Sequence, residues 1–174
     1  TASYYYFEGG HDLYANEKAP LDEQGIRDTA RKLINEVDAV AISGYFSPFN
    51  ASHEERAFRI TADETGKPVV LGHQLSTKLD SIQRATTATL NASLLAILQD
   101  FIQAMKKSLL DLEIQAPLMV VRGDGALVSA EIAKDRPVET VHSGPAASAR
   151  GGQFLAEEEK ALVKVLRSGW LTTG

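Results

Sequence analysis

Leu118-Met-Val-Val-Arg-Gly-Asp-Gly-Ala-Leu-Val-Ser-Ala-Glu131, followed by Pro137-Val-Glu-Thr-Val-His-Ser-Gly-Pro-Ala146, sets two short apolar runs before two turns of small residues. The pattern reads twice as strand, turn and helix, the grammar of an α/β nucleotide or anion site. A helix N-terminus leaves N–H groups unpaired and carries roughly half a positive charge. His142, Ser143, Gly144 and Pro145 are therefore a candidate anion site, where a strand hands over to a helix. Pro145 suits the start of that helix because its missing N–H would be unpaired there anyway. Gly123-Asp124-Gly125 is the second candidate, with amides that could approach a phosphate and a carboxylate for a metal or a hydroxyl. The same three residues equally spell a tight turn that needs positive φ, and neither the Walker nor the dinucleotide pattern is complete.

Working outward, Ala2-Ser-Tyr-Tyr-Tyr-Phe7 is rich in aromatic residues and is expected to be a strand or hairpin. A helix is expected from Asp22, an N-cap flanked by a Leu21 and Ile26 staple, with Ile26, Ala30, Leu33, Ile34 and Val37 on one face. Ala39-Val-Ala-Ile-Ser-Gly-Tyr-Phe46 is continuously apolar, as in a strand covered on both faces, and Pro48 is expected to end it. Ser52-His-Glu-Glu55 spells a capping box at the head of the next helix, which Gly66 and Pro68 close. Val69 to Leu71 follows as a second strand, close enough for a right-handed crossover and a parallel pair. A polar loop is expected from His73 to Asp80. Leu90, Leu94, Leu98, Phe101, Met105, Leu109 and Leu112 then recur by fours and threes, which predicts a long amphipathic helix; Leu95 and Ile102, with Ile97 alongside, widen its stripe. Such a stripe packs on a sheet or sister helix.

Composition removes several function classes. With net charge −5 and scattered Lys and Arg, the 174-residue chain lacks the basic footprint of a nucleic-acid binder. The absence of cysteine excludes disulfides, Cys-ligated zinc, iron–sulfur clusters and thiol nucleophiles. No apolar run approaches the roughly 18 residues of a membrane span, and no signal-peptide pattern opens the chain, so a cytoplasmic location is expected.

Other chemistry is thinner. His53-Glu54 begins like a zinc-protease motif, but Ala57 stands where the second histidine belongs. A Ser143, His73, Asp124 triad can be written, yet the Gly-x-Ser-x-Gly elbow is missing. Thr86-Thr-Ala-Thr-Leu-Asn91 could face a ligand, or serve capping and close helix packing. Catalytic residues are left unassigned.

Five segments together carry a family likeness: Gly9-Gly-His-Asp12 with Pro20-Leu-Asp22; Ala41-Ile-Ser-Gly-Tyr-Phe-Ser47 with Asn50 and His53-Glu54; Arg84 to Asn91; Met119 to Glu131; and Arg136-Pro137 through Ser143-Gly-Pro-Ala146. In this order and spacing they resemble the hydantoinase A, 5-oxoprolinase and acetone carboxylase family, of the actin, sugar-kinase and heat-shock ATPase superfamily. The resemblance implies a parallel or mixed sheet flanked by helices, as part of an ATPase body. It implies an ATP- and Mg2+-dependent cyclic amidohydrolase of hydantoin utilisation, which phosphorylates an oxygen of a five-membered ring and lets water attack. Such transfer relies on positioned cations and N–H donors more than on a protein nucleophile. Ser143 and Gly144 would then contact nucleotide or substrate, and a second hydantoinase-type subunit would be the partner.

Family members are similar to one another in bearing Asp-Gly-Gly-Thr phosphate loops before and after this region, and this chain contains neither. The expectation is an internal piece of a longer protein, inactive alone and without cofactor. Residues 1–80 would be the later part of an N-terminal α/β subdomain, and 81–156 the long helix and the start of the core subdomain. Residues 157–174 would be an atypical helical tail, faintly similar to the opening helix and loop of pyridoxal-phosphate sugar aminotransferases. The rival reading is a non-catalytic interaction module that docks through the long helix.

Overall fold

The structure is a computed structural model and describes residues 3–159, with side chains through 156. Residues 160–174, most of the expected helical tail, lie outside the described residues. Contacts divide the chain into two compact units, Thr1–Ala96 and Ile97–Gly174.

In the first unit, α1 (Glu23–Leu33) begins where Asp22 accepts the Gly25 N–H at 2.9 Å. Ile26 of α1 packs with Ala57 and Ile60 of α2 (Ser52–Thr65), and Leu21 and Ile42 close the cluster. Across the same interface Arg27 and Arg31 both reach Glu64. α2 ends at Gly66, left-handed at φ 62°, whose N–H returns to Ala62 O. β1 (Val40–Ile42) and β2 (Val69–Leu71) pair in parallel, Val40 opposite Val69 and Ile42 opposite Leu71. The crossover through α2 is therefore the expected one.

Four details of this unit correct the sequence expectations. Residues 3–7 form no strand: no strand of the described chain lies beside them, and Tyr6 is 93% exposed. β-propensity expresses fit to a neighbouring pleated surface, which is missing here. β1 stops at Ile42, well short of Pro48, because both backbone groups of Gly44 are taken by side chains: its N–H donates to Glu54 and its carbonyl accepts from Arg84. The capping box does not form. The Ser52 N–H donates to Asn50 Oδ1 and the Ser52 hydroxyl lies beside His11 instead. The polar loop after β2 starts with a helical turn, α3 (Gly72–Leu75).

The long helix is α4 (Ser81–Asp111), with Asp80 accepting the Ile82 and Gln83 N–H groups at its start. Its buried row includes Leu95 and Ile102 of the expected second apolar row but not all of the leading row. Arg84, Ala88, Asn91, Leu95 and Ile102 are buried, whereas Leu90 is 43% and Phe101 56% exposed. Small and polar residues face inward because the helix lies close on β2: Ala88 and Leu95 contact Val70, with Ala41, Leu75 and Ala92 around them. Thr86, Thr87 and Thr89 turn their hydroxyls back onto the carbonyls four residues earlier, so they serve the helix itself.

In the second unit Ile102 packs with Ala130 and Ala133 of α5 (Ala130–Ala133), and Leu98, Leu118, Val120 and Val128 line the same core. β3 (Met119–Val121) and β4 (Leu127–Ser129) are antiparallel, Val120 opposite Val128. The Gly-Asp-Gly turn thus opens a strand rather than a helix. Residues Pro137–Thr140 form a 3-10 turn where a strand was expected; Val138 and Val141 are three apart, the period of that turn, and the Val141 N–H donates to Val138 O. α6 (Ser143–Glu159) follows.

Candidate functional site

Two of the segments that carry the family likeness in the first unit, those with Gly44 and Glu54 and with Arg84, meet in one buried network. Glu54 is 1% exposed, and its carboxylate accepts the Gly44 N–H at 2.6 Å, the His73 N–H at 3.1 Å and His73 Nδ1 at 2.6 Å. The carboxylate accepts, so Nδ1 carries a proton. Arg84, wholly buried, donates to Gly44 O at 2.5 Å and Lys78 O at 2.6 Å. Burial lowers the Arg84 pKa from its usual value, while Glu54 and Asp80 pull it back up. One carboxylate and one guanidinium therefore clamp the chain just past β1 and β2, the end of a parallel sheet where α/β proteins bind ligands.

Sequence reasoning set His53-Glu54 and His73 aside. The signal was the buried-type spacing of Glu54 within α2, where a charge needs a distant partner. His73 is committed to Glu54, and Asp124 to its own turn, so the written Ser143, His73, Asp124 triad is not assembled through either. Among the described residues no group of three or more His, Asp or Glu side chains is arranged to hold a metal ion.

The second unit holds the candidates read from the sequence. Gly123-Asp124-Gly125 is a hairpin loop with Gly125 left-handed at φ 82°, its N–H on Arg122 O, and Arg122 N–H on Ala126 O. Asp124 accepts the Ala126 N–H and the Arg122 guanidinium, both at 3.0 Å, and the Gly123 N–H goes to Glu139 O at 2.8 Å. The Gly123 and Gly125 N–H groups and the Asp124 carboxylate thus all serve the turn. The loop also packs against the lead-in to α6: a Cβ on Gly123 would stand 2.5 Å from Val141 O, and one on Gly125 3.1 Å from the Arg150 side chain. The two candidate segments are thus neighbours.

At the start of α6 the geometry differs. His142 is left-handed at φ 63°, which turns the chain sharply so that the helix begins at Ser143. Gly144 is exposed, and a Cβ there would meet nothing within 4 Å. Ser143 and Pro145 flank it, half-buried. The first turn of this 17-residue helix therefore presents open backbone, a shape that fits an anionic group.

Comparison with known proteins agrees with this architecture. The model of the hydantoinase/oxoprolinase N-terminal region matches residues 3–65, and that of hydantoinase/oxoprolinase matches 84–165, reaching into the tail that looked atypical. The caprolactamase alpha subunit of Pseudomonas jessenii is 30% identical over 146 residues, covering 82% of this chain and 21% of that protein. The acetophenone carboxylase gamma subunit of Aromatoleum aromaticum is 29% identical over 146 residues, with 80% and 20% covered. The crystal structure of the ATP-dependent caprolactamase from P. jessenii superposes with TM-score 0.80 at 28% identity, over 88% of this chain and 22% of that one. Nucleotide-free acetone carboxylase gives TM-score 0.71 over the same shares at 22% identity, a likeness of fold. The chain spans about a fifth of the length of the curated relatives it matches.

The fold is that of the α/β body of ATP-dependent enzymes of the actin-like class. The chain belongs to the hydantoinase/oxoprolinase family. Among the described residues no helix is long and apolar enough to cross a membrane.

Proposed function

We propose that this chain serves within an ATP-dependent cyclic amidohydrolase that activates a five-membered cyclic amide, such as a hydantoin or 5-oxoproline, by phosphorylation and hydrolyses it. The observation that carries the reading is the match along both family models together with the superposition on an ATP-dependent caprolactamase. The working enzyme is cytoplasmic and pairs with a second hydantoinase-type subunit; relatives described as alpha and gamma subunits support this. His142, Ser143, Gly144 and Pro145 meet the nucleotide or substrate at the open first turn of α6, while Gly123, Asp124 and Gly125 brace that turn. ATP and Mg2+ are held by parts of the enzyme other than these 174 residues, which are inactive alone.

Two measurements test this. Calorimetry of the isolated chain with Mg-ATP should give no binding heat, and tight binding would mean that the phosphate grip lies within the chain. In the assembled enzyme Ser143→Ala should lower turnover by at least about tenfold, as deleting one oxyanion donor does, with thermal stability unchanged. Unaltered turnover would return Ser143 to a helix-starting role. A docking module is the second reading, favoured by Ile97, Phe101 and Leu110 of α4, which are 56–76% exposed in the second unit. It requires that replacing these three by Gln abolish partner binding and leave the fold intact.

A further inference from the structure

Gly10 to Lys18 is a loop tied to itself and to its neighbours. The Lys18 N–H donates to Gly10 O at 3.0 Å, His11 bridges to Glu17, and the His11 N–H donates to Tyr45 O at 3.3 Å. Its attachment to α2 runs through two imidazoles. His11 and His53 are 2% and 5% exposed, with ring centroids 4.3 Å apart. The Gly10 N–H donates to His53 Nδ1 at 2.8 Å. An amide N–H only donates, so Nδ1 carries the lone pair and the ring proton sits on Nε2, 3.4 Å from Glu17 Oε1. On the other ring, His11 Nε2 lies 3.2 Å from Ser52 Oγ of α2. The charged groups that face the pair are Glu17 and Asp12 from the loop; α2 offers the Ser52 hydroxyl, and Lys18 is turned over the Tyr45 ring.

This arrangement holds while both rings are neutral. A proton on His53 Nδ1 would set N–H against N–H at Gly10 and delete the bond outright. A proton on His11 would place a cation in a buried site against the second ring. We propose that the His11–His53 pair is an acid-sensitive latch, whose protonation frees the Gly9–Lys18 loop from α2 and opens the concavity lined by Glu8, Gly9, Lys18, Ala19 and Tyr45. This goes beyond the proposed reaction and is independent of it. Burial, and then His53, lower the His11 pKa from 6.5, with Glu17 and Asp12 pulling upward. A histidine depressed in the folded state stabilises the fold above its unfolded pKa, and that contribution is lost as pH falls below 6.5 towards the folded value.

Amide exchange of the chain, expressed as protection factors, tests the latch between about pH 7.5 and about pH 5.5. Protection at Gly10 and His11 should fall by about tenfold at the lower pH, while that of α1 stays constant. His53→Gln supplies a side-chain oxygen that still accepts the Gly10 N–H and does not titrate, so the pH step at Gly10 should vanish. Equal protection at both pH values in the natural chain would overturn the latch, as would a full pH step in His53→Gln. Should that variant fail to fold, NMR titration of the natural chain decides: the latch requires a His11 midpoint below 6.5, and a midpoint at or above 6.5 refutes it.

Discussion

The two units handle charge in opposite ways. In the first, Glu54 and Arg84 are at most 1% exposed and are spent on backbone groups of Gly44, His73 and Lys78. In the second, the ions stay at the surface: Asp124 and Glu131 are both 56% exposed, Arg122 36%, and they pair with one another and with other half-exposed groups, Arg122 with Asp124 and Glu139, Glu131 with Lys134 and Lys106. Buried charge spent on backbone groups fixes a shape, although the buried Arg84 Nε keeps no hydrogen-bond partner among the described residues. Surface pairs around an open helix start cost less to rearrange and leave that start accessible. On the function proposed above, the family motifs of the first unit act as scaffold and the Ser143-Gly-Pro-Ala segment of the second meets the ligand.

Removing the hub of the first unit should break it. Glu54→Ala leaves Arg84 buried without its nearby carboxylate and strips acceptors from Gly44 and His73, a loss of roughly 3–5 kcal/mol by analogy with broken buried pairs. Urea unfolding should show it, and Lys134→Ala, at a surface pair, should cost under about 1 kcal/mol in the same assay. Similar losses for the two would erase the contrast between the units.

How much of this was legible follows from the range of the interactions. α1 was, because Asp22 caps at Gly25 and Leu21 reaches the Ile26 cluster within a few residues. The parallel β1–β2 pair was, because a strand, a helix and a strand of that length close one way. For its chemistry Glu54 was read only as half of an incomplete zinc-protease motif, because its partners lie 10 and 19 residues away and local spacing does not reveal them. α4 was placed correctly as a helix, and Leu95, Leu98 and Ile102 do face a core, but hydropathy ranks Leu90 and Phe101 above the buried Arg84 and Asn91. Gly-Asp-Gly opens a helix or closes a hairpin equally well, and what decides is the return run Leu127–Ser129 pairing onto Met119–Val121. The α6 start was legible as far as Ser143 and Gly144 are concerned, for a helix start is a local event.

Two glycines of the second unit sharpen the difference between bracing and openness. Gly123→Ala sets a methyl 2.5 Å from the Val141 carbonyl oxygen, a clash with backbone, and should destabilise by about 1–3 kcal/mol. Gly144→Ala meets nothing and trims the unfolded chain's freedom, so stability should rise by up to about 1 kcal/mol. If the open backbone at Gly144 serves a ligand, the second change should lower turnover of the assembled enzyme while raising its melting temperature. Unchanged turnover there would move the site away from α6.

The smallest effect concerns one place where the first unit, as it does at the Arg56–Glu23 pair nearby, pairs charge near its surface. Hydrogen bonds from Arg31 and then Arg27 lower the Glu64 pKa, against the opposing pull of burial. A carboxyl depressed in the folded state contributes stability above its unfolded value, near 4.5, and loses it as pH falls through the folded one. Glu64→Gln removes that titration. Urea midpoints of the two proteins should differ at neutral pH, by less than Glu54→Ala does, and should draw together as acid protonates Glu64. A gap that stays constant from neutral to acid pH would mean that the Glu64 pairs add nothing to the α1–α2 seam, leaving it to Ile26, Ala57 and Ile60 and to the Arg56–Glu23 pair. In that event surface pairing would be as weak in the first unit as in the second, and only burial would set the two apart.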